Sequence, residues 1–203
     1  MNEYSLKNMA RTIDNTKIEG VKQNAIKLIV QNGYGGASIS NIAKKAQVAE
    51  GYLYRFYKSK EELVLDLLNS KIEEIADNIE ESIMKSESVH QIIDLLVKSI
   101  FKMAAKSSDD IKFLYVMMND YSFSMTNKIR ERIRNLCIEV KEKGLNLGEL
   151  DIQTSEEEIY MIMVIYPIQF INLRLKNIFG KSKWTSEDIE RLINICSKSL
   201  KKE

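Results

Sequence analysis

Proline occurs once in these 203 residues, at Pro167, and glycine only eight times. So few breakers exclude a turn-rich β protein and leave room for long helices. Histidine also occurs once, at His90, with no acid or nucleophile at a recognisable spacing, and no phosphate-loop glycine pattern or metal-ligand cluster is present. No catalytic residue, cofactor or metal is therefore expected. The two cysteines, Cys137 and Cys196, lie far apart and read as buried, reduced thiols. The opening MNEYSLKNMA lacks an apolar core, so no secretory leader is expected. The longest apolar run, Ile159 to Ile168, is about half the ~20 residues a membrane helix needs. It points to a buried helix, no membrane association and a cytoplasmic protein.

A large excess of one charge is missing too: the net charge is +1, which excludes a generally basic, histone-like chain. The charge is unevenly placed. Residues 1–63 carry ten Lys and Arg against six Asp and Glu; residues 64–203 carry twenty against twenty-three. A basic head on a mildly acidic body fits a small DNA-contacting module attached to something larger.

What is present is a series of helix starts marked by capping boxes. Thr16 with Glu19 opens a first helix, which Asn32-Gly33 closes, and residues 1–15 stand before it as an extension, either disordered or able to reach DNA through Lys7 and Arg11. Ser38 opens a second helix. Ser59 with Glu62 opens a long fourth, and Ser88 with Gln91 a fifth. A sixth follows Ser108-Asp109-Asp110; a seventh spans Ser122 to Lys143, before Gly144 and a loop from Leu145 to Gln153. Thr154 with Glu157 opens an eighth, kinked at Pro167 and ending near Gly180; Thr185 with Asp188 opens a ninth. The chain is thus expected to be all-α, with about nine helices.

The segment AQVAEGYLYRFYKSKEEL, from Ala46 to Leu63, places a short helix after a tight turn that follows the helix at Ser38. Two short helices joined this way form a helix-turn-helix, whose second helix enters a DNA major groove. Ile39, Ile42, Ala43, Val48 and Leu53 face inward, which leaves Ser40, Lys44, Glu50, Tyr52, Tyr54 and Arg55 outside or at an edge. Lys58-Ser59-Lys60, at the start of the fourth helix, offers a phosphate clamp.

The pattern Gly33-Tyr34, Ala37-Ser38-Ile39, Ile42-Ala43, then Ala46, Val48, Gly51, Leu53-Tyr54, Tyr57-Lys58-Ser59-Lys60-Glu61 and Leu63 resembles the N-terminal domain of the TetR family of bacterial transcriptional regulators, over about residues 16–63. The resemblance implies a DNA-binding domain over 16–62 and a larger ligand-binding and dimerisation domain over 63–203. It implies phosphate contacts at Tyr54, Lys60, Ser38 and Ser40, and base-edge readers at Glu50, Gly51, Tyr52 and Arg55. The chain departs from the family where Gln47 replaces a turn glycine and Ala49 replaces the cap of the recognition helix. A missing cap costs about 1 kcal/mol. Glu50 stands where Lys or Arg is common; a carboxylate there repels phosphate and accepts from cytosine N4.

Aromatic and Met residues concentrate in the remainder. Phe101, Phe113, Met117, Tyr121, Met163, Tyr166 and Phe170 are candidates for a largely apolar effector pocket, beside the reading that several simply fill the core. The eighth and ninth helices carry a surplus of apolar residues, and Ile159, Ile162, Ile165, Leu192, Ile195 and Cys196 are expected in an isologous homodimer interface. The function expected is a repressor that binds a palindromic double-stranded operator as a dimer and is released by a small-molecule effector. The alternatives are a DNA-binding regulator without small-molecule sensing and a helical enzyme or adaptor.

Overall fold

The computed structural model describes residues 3–202, with side chains from residue 16 onward, and among these every regular element is a helix. The helices are α1 (Glu3–Gly36), α2 (Ile39–Ala46), α3 (Glu50–Tyr54), α4 (Lys60–Lys85), α5 (Val89–Lys106), α6 (Ser108–Asn119), α7 (Asn127–Asn146), α8 (Glu156–Leu175) and α9 (Ser186–Leu200). They divide into two compact units. One comprises Met1–Leu68 with Val116–Phe123, the other Asn69–Tyr115 with Ser124–Glu203.

The first unit is a small bundle. Val21, Ala25 and Ile29 of α1, Ile39, Ile42 and Ala43 of α2, Leu53 of α3, and Leu63, Val64 and Leu67 of α4 are all buried. Helix α1 begins well before Thr16, the expected start, since nothing in residues 3–15 breaks a helix; the side chains of Lys7 and Arg11 lie outside the described residues. At Gly33 the backbone adopts φ 72°, ψ 172°, which interrupts α1 where the sequence placed its end.

The second unit is built round α5, whose Ile92, Ile93, Leu96, Val97, Ile100 and Phe101 are buried against α7, α8 and α9. Four boundaries differ from the sequence reading, each for a local reason. Helix α7 is capped by Thr126 rather than Ser122, because Ser122 is held in a turn by the Asp120 carboxylate. It runs on through Gly144, which packs against Leu150, and ends at Gly148 (φ 69°). Helix α8 is capped by Ser155 with Glu158, not Thr154 with Glu157, and stops at Leu175 because Asn177 (φ 53°) takes the left-handed position that ends a helix.

Pro167 neither ends α8 nor acts alone. Residues Met161–Ile165 form a π-helical turn in which the Tyr166 N–H donates to the Met161 carbonyl. A proline ring clashes with the carbonyl four residues back and offers it no donor; the wider turn absorbs both. The complete helix is 20 residues, and its most apolar stretch reaches a mean hydropathy of 1.2, long and apolar enough to span a bilayer by those measures. Its length thus exceeds the short apolar run seen in the sequence. Its inward face, through Ile159, Met163, Val164, Ile168 and Ile171, nevertheless belongs to the core of the second unit.

Candidate nucleic-acid interface

The turn between α2 and α3 is set by backbone hydrogen bonds. The Val48 N–H donates to the Ala43 carbonyl at 3.0 Å and the Gln47 N–H to that of Lys44 at 3.2 Å. This places Gln47 at φ 56°, the same left-handed helix-ending position that Gly148 fills after α7 and Asn177 after α8. A side chain with a Cβ is strained there by about 1 kcal/mol. Helix α3 then starts at Glu50 without a side-chain cap, since Ala49 has no oxygen to offer. Gln47→Gly and Ala49→Ser are each expected to raise stability by about 0.5–1 kcal/mol. Together they should lift the melting temperature by roughly 2–6 °C; calorimetry showing no gain in either variant removes this account of the turn.

Around that turn the polar residues read from the sequence share an exposed edge. Ser38 caps α2 by accepting from the Asn41 N–H at 3.1 Å, which leaves its hydroxyl proton directed elsewhere; Ser40, Ala49, Glu50, Gly51 and Lys58 are exposed. Tyr54 is 54% exposed although it sits next to the fully buried Leu53. A large aromatic held in solvent beside a core residue costs burial energy and suits a contact made outside the chain. Arg55 lies 5.5 Å from the Tyr52 ring and 5.6 Å from that of Phe56, so its guanidinium is held over two aromatic faces at the end of α3. Tyr57 is buried instead. Its hydroxyl donates to Asp66 at 2.7 Å, Asp66 pairs with Lys22 at 3.1 Å, and burial followed by that hydrogen bond drives the phenol's pKa well above its ordinary value.

Lys60 is more engaged than a free clamp. Its ammonium donates to the Tyr34 carbonyl at 2.9 Å and lies 4.0 Å from the centre of the Tyr34 ring. The Tyr34 N–H in turn donates to Asp120 at 3.3 Å, and its ring meets Phe123 edge-on at 5.2 Å. Asp120, bound by the Ser122 hydroxyl and N–H and facing Lys60, is held below the usual carboxylate range. Asp120 and Phe123 were not among the residues expected in this unit. The Asp-x-Ser turn signals a bend at the end of α6, but nothing local tells which helix that bend reaches.

The sequence model of bacterial regulatory proteins of the tetR family matches residues 23–67, the segment that contains α2, α3 and the start of α4. The curated relatives include the fatty acid metabolism regulator protein of Bacillus subtilis (strain 168), 24% identical over 143 residues, which cover 67% of this chain and 74% of the relative. Residues 23–67 thus carry the sequence pattern of the tetR family of bacterial regulatory proteins. Solved structures extend the likeness to the whole fold. A TetR family transcription regulator from Marinobacter aquaeolei VT8 superposes with a TM-score of 0.79 at 18% identity, over 95% of this chain and 100% of that one. The regulator FadR from Bacillus subtilis, solved with stearoyl-CoA, gives 0.69 at 19% identity, over 89% and 96%.

In the second unit the expected pocket residues separate. Phe101, Phe113 and Met163 are buried, Phe170 is half-buried and Tyr166 is 36% exposed. Phe101 meets Phe170 at 6.1 Å and Trp184 at 5.4 Å between ring centres, with the Arg174 guanidinium 5.0 Å from the Phe170 ring. Trp184, the only tryptophan, was overlooked because it lies in the segment between α8 and α9. Two of the seven candidates are corrected. Met117 is buried in the first unit, and Tyr121 stands wholly in solvent because the chain leaves α6 at Asn119 and the Asp120 turn directs it outward.

The expected interface is corrected in the same way. Ile159, Leu192 and Cys196 are at most 2% exposed within the chain itself, so they have no surface left for a partner. Both α8 and α9 carry apolar residues on more than one face, and the sequence alone did not tell inward from outward. Ile162 and Ile165 are half-buried and Ile195 is 44% exposed, which keeps them accessible. Burial pushes the thiols of Cys137 and Cys196 up to about 11.

Proposed function

We propose that this chain is a dimeric repressor that holds a palindromic operator and releases it when a small, largely apolar effector binds the second unit. Residues 16–62 form the DNA-reading domain and residues 63–203 the effector and dimer domain. The observation that carries the proposal is the exposed edge of α2, α3 and the start of α4, where Ser38, Ser40, Tyr54, Arg55 and Lys58 surround a helix too short to serve any packing role beyond Leu53. Two protomers related by a two-fold axis would set their α3 helices in successive major grooves, about 34–36 Å apart or a longer multiple.

The effector class is suggested by two relatives, one a fatty acid metabolism regulator and the other a FadR solved with stearoyl-CoA. The buried Phe101, Phe113 and Met163 supply an apolar setting that an acyl chain would suit. We therefore assign a long-chain acyl thioester as the effector. A ligand can only shift operator binding by its preference for one conformation over another. Helix α4, which starts beside Lys58 and continues unbroken past Leu68 into the second unit, is the assigned covalent route.

The test is a gel-shift titration on the DNA upstream of the protein's own coding sequence, with stearoyl-CoA and, separately, coenzyme A added. Salt-sensitive binding that stearoyl-CoA weakens at least fivefold and coenzyme A leaves alone is the expected result. Acyl thioester binding with no change in operator affinity ends the effector proposal; absence of salt-dependent binding to any DNA ends the repressor proposal.

A further inference from the structure

Between α8 and α9 the chain makes a tight bend that shows two apolar side chains to solvent. Helix α8 ends with the Ile178 N–H donating to the Leu173 carbonyl at 3.2 Å and the Asn177 N–H donating to that of Arg174 at 2.9 Å. In this kind of left-handed helix end, the residue at the Ile178 position ordinarily folds back onto the one at the Leu173 position. Here Ile178 stays 57% exposed, and Phe179 after it is 75% exposed. The Gly180 N–H donates to the Asn177 carbonyl at 3.2 Å, which closes a second turn with Ile178 and Phe179 at its two corners. Such corners usually go to Gly, Asn, Asp, Ser or Pro, so a pair of large apolar residues there calls for a contact outside the chain.

The bend stands on a firm base. Asn177 and Gly180 hold left-handed φ values of 53° and 69° on either side of the tip. The Arg174 guanidinium joins the two strands of the bend, donating to the Lys183 carbonyl at 3.3 Å and to the Asp188 carboxylate at 2.8 Å. Trp184 closes the far side by meeting Phe101 edge-on at 5.4 Å. All of these residues belong to the second unit. Side chains presented this way need little further ordering when they meet a partner, and ordering is a main cost of binding through a loop.

Charge indicates the partner. Residues 176–183 carry Lys176, Lys181 and Lys183 and no acid. All three lysines are exposed, and among the described residues none of them has an ion pair. An apolar tip ringed by free ammonium groups matches a surface with anions outside and an apolar layer beneath, which is an anionic lipid bilayer. Two such tips set against each other would bring six lysines together. A DNA backbone would suit the lysines but offers no apolar layer to Ile178 and Phe179.

We infer that the bend between α8 and α9 docks on anionic membrane surfaces, with Ile178 and Phe179 entering the headgroup layer and Lys176, Lys181 and Lys183 lying on its phosphates. This is attachment to a surface, not a span: the inward face of α8 stays in the core of the second unit. One apolar anchor alone binds a bilayer only marginally, and a basic patch beside it supplies the second signal. The inference stands apart from the effector reading above and does not require it.

Co-sedimentation of the full-length protein with vesicles of phosphatidylcholine, alone or with about one-third phosphatidylglycerol, tests it. Binding is expected to the anionic vesicles only, and should weaken as salt is added. Phe179→Ala should reduce it about tenfold. Lys181→Gln combined with Lys183→Gln should reduce it about twentyfold, each lysine near the surface counting for about fivefold. These changes touch only exposed side chains, so circular dichroism should give the parent's spectrum and melting temperature. Equal binding to both kinds of vesicle, binding to neither, or variants that bind as the parent does overturns the inference. Sedimentation equilibrium covers the remaining occupant: a Phe179→Ala variant that self-associates less than the parent assigns the bend to a second copy of the chain and overturns it likewise.

Discussion

Operator affinity falls by roughly two orders of magnitude or more when Tyr54 becomes alanine, and the slope of affinity against salt stays where it was. A hydroxyl bonded to a phosphate oxygen contributes about 1.5–3 kcal/mol, and a dimer loses two of them, which converts to at least about a hundredfold. The phenol is neutral, so its removal releases no fewer counterions. Lys58→Ala should behave differently: one lost cation per protomer flattens the slope by about two, with a loss of affinity that vanishes at high salt. Tyr54 and Lys58 are both exposed, and neither variant should lower the melting temperature. The pair separates geometry from charge. If Tyr54→Ala binds as the parent does, or if both variants change the slope alike, the exposed edge of α3 is not the phosphate-facing surface. Lys60→Ala is the less informative variant, because the ammonium that would reach DNA also holds the Tyr34 carbonyl and ring within the first unit.

The parts of this fold that local chemistry specifies were readable in advance. Capping at Ser38, Ser88 and Thr185 placed three helix starts where the structure has them, because a cap needs only a side-chain oxygen and an amide three residues on. Ala49 and Gln47 stood out only against the family pattern that the sequence resembles; the structure shows the one without a side-chain cap and the other left-handed. What escaped depends on partners distant in sequence. The hydrogen bond from the Tyr34 N–H to Asp120 spans 86 residues, and with it the segment Val116–Phe123 joins the first unit rather than the second. Tyr121 and Met117 were misplaced as a result. In α9 the periodicity of Leu192, Ile195 and Cys196 could not show that the helix turns Leu192 and Cys196 to α5 and α8 and leaves Ile195 outside. The shape of α8 escaped for a subtler reason: a single proline announces a disturbance, but whether the chain bends or widens depends on what packs beside it.

Removing the Asp188 carboxylate should cost more stability than any surface change. Asp188 accepts from the Thr185 N–H at 3.1 Å and from Arg174 at 2.8 Å and Arg191 at 2.6 Å, while its own N–H is capped by the Thr185 hydroxyl. Its side chain is 9% exposed and that of Arg174 is 12%. Asp188→Ala strands a nearly buried guanidinium and removes one half of the capping box of α9, for an expected loss of about 3–5 kcal/mol and a melting temperature lower by roughly 10 °C. Asp188→Asn keeps the shape and loses only the charge, and should fall between. The same site sets part of the acid stability. The Thr185 amide, and after it Arg174 and Arg191, hold the carboxyl below its ordinary range. The folded chain thus prefers the ionised form more than the unfolded chain does. That stabilisation is complete above about pH 5, where the unfolded carboxylate is almost fully ionised, and disappears as pH falls through the lower folded value. Denaturant unfolding of the parent and of Asp188→Asn should therefore differ most near neutrality and converge between about pH 5 and pH 2. A gap that stays constant over that interval means the ionised carboxylate is not what fastens the start of α9.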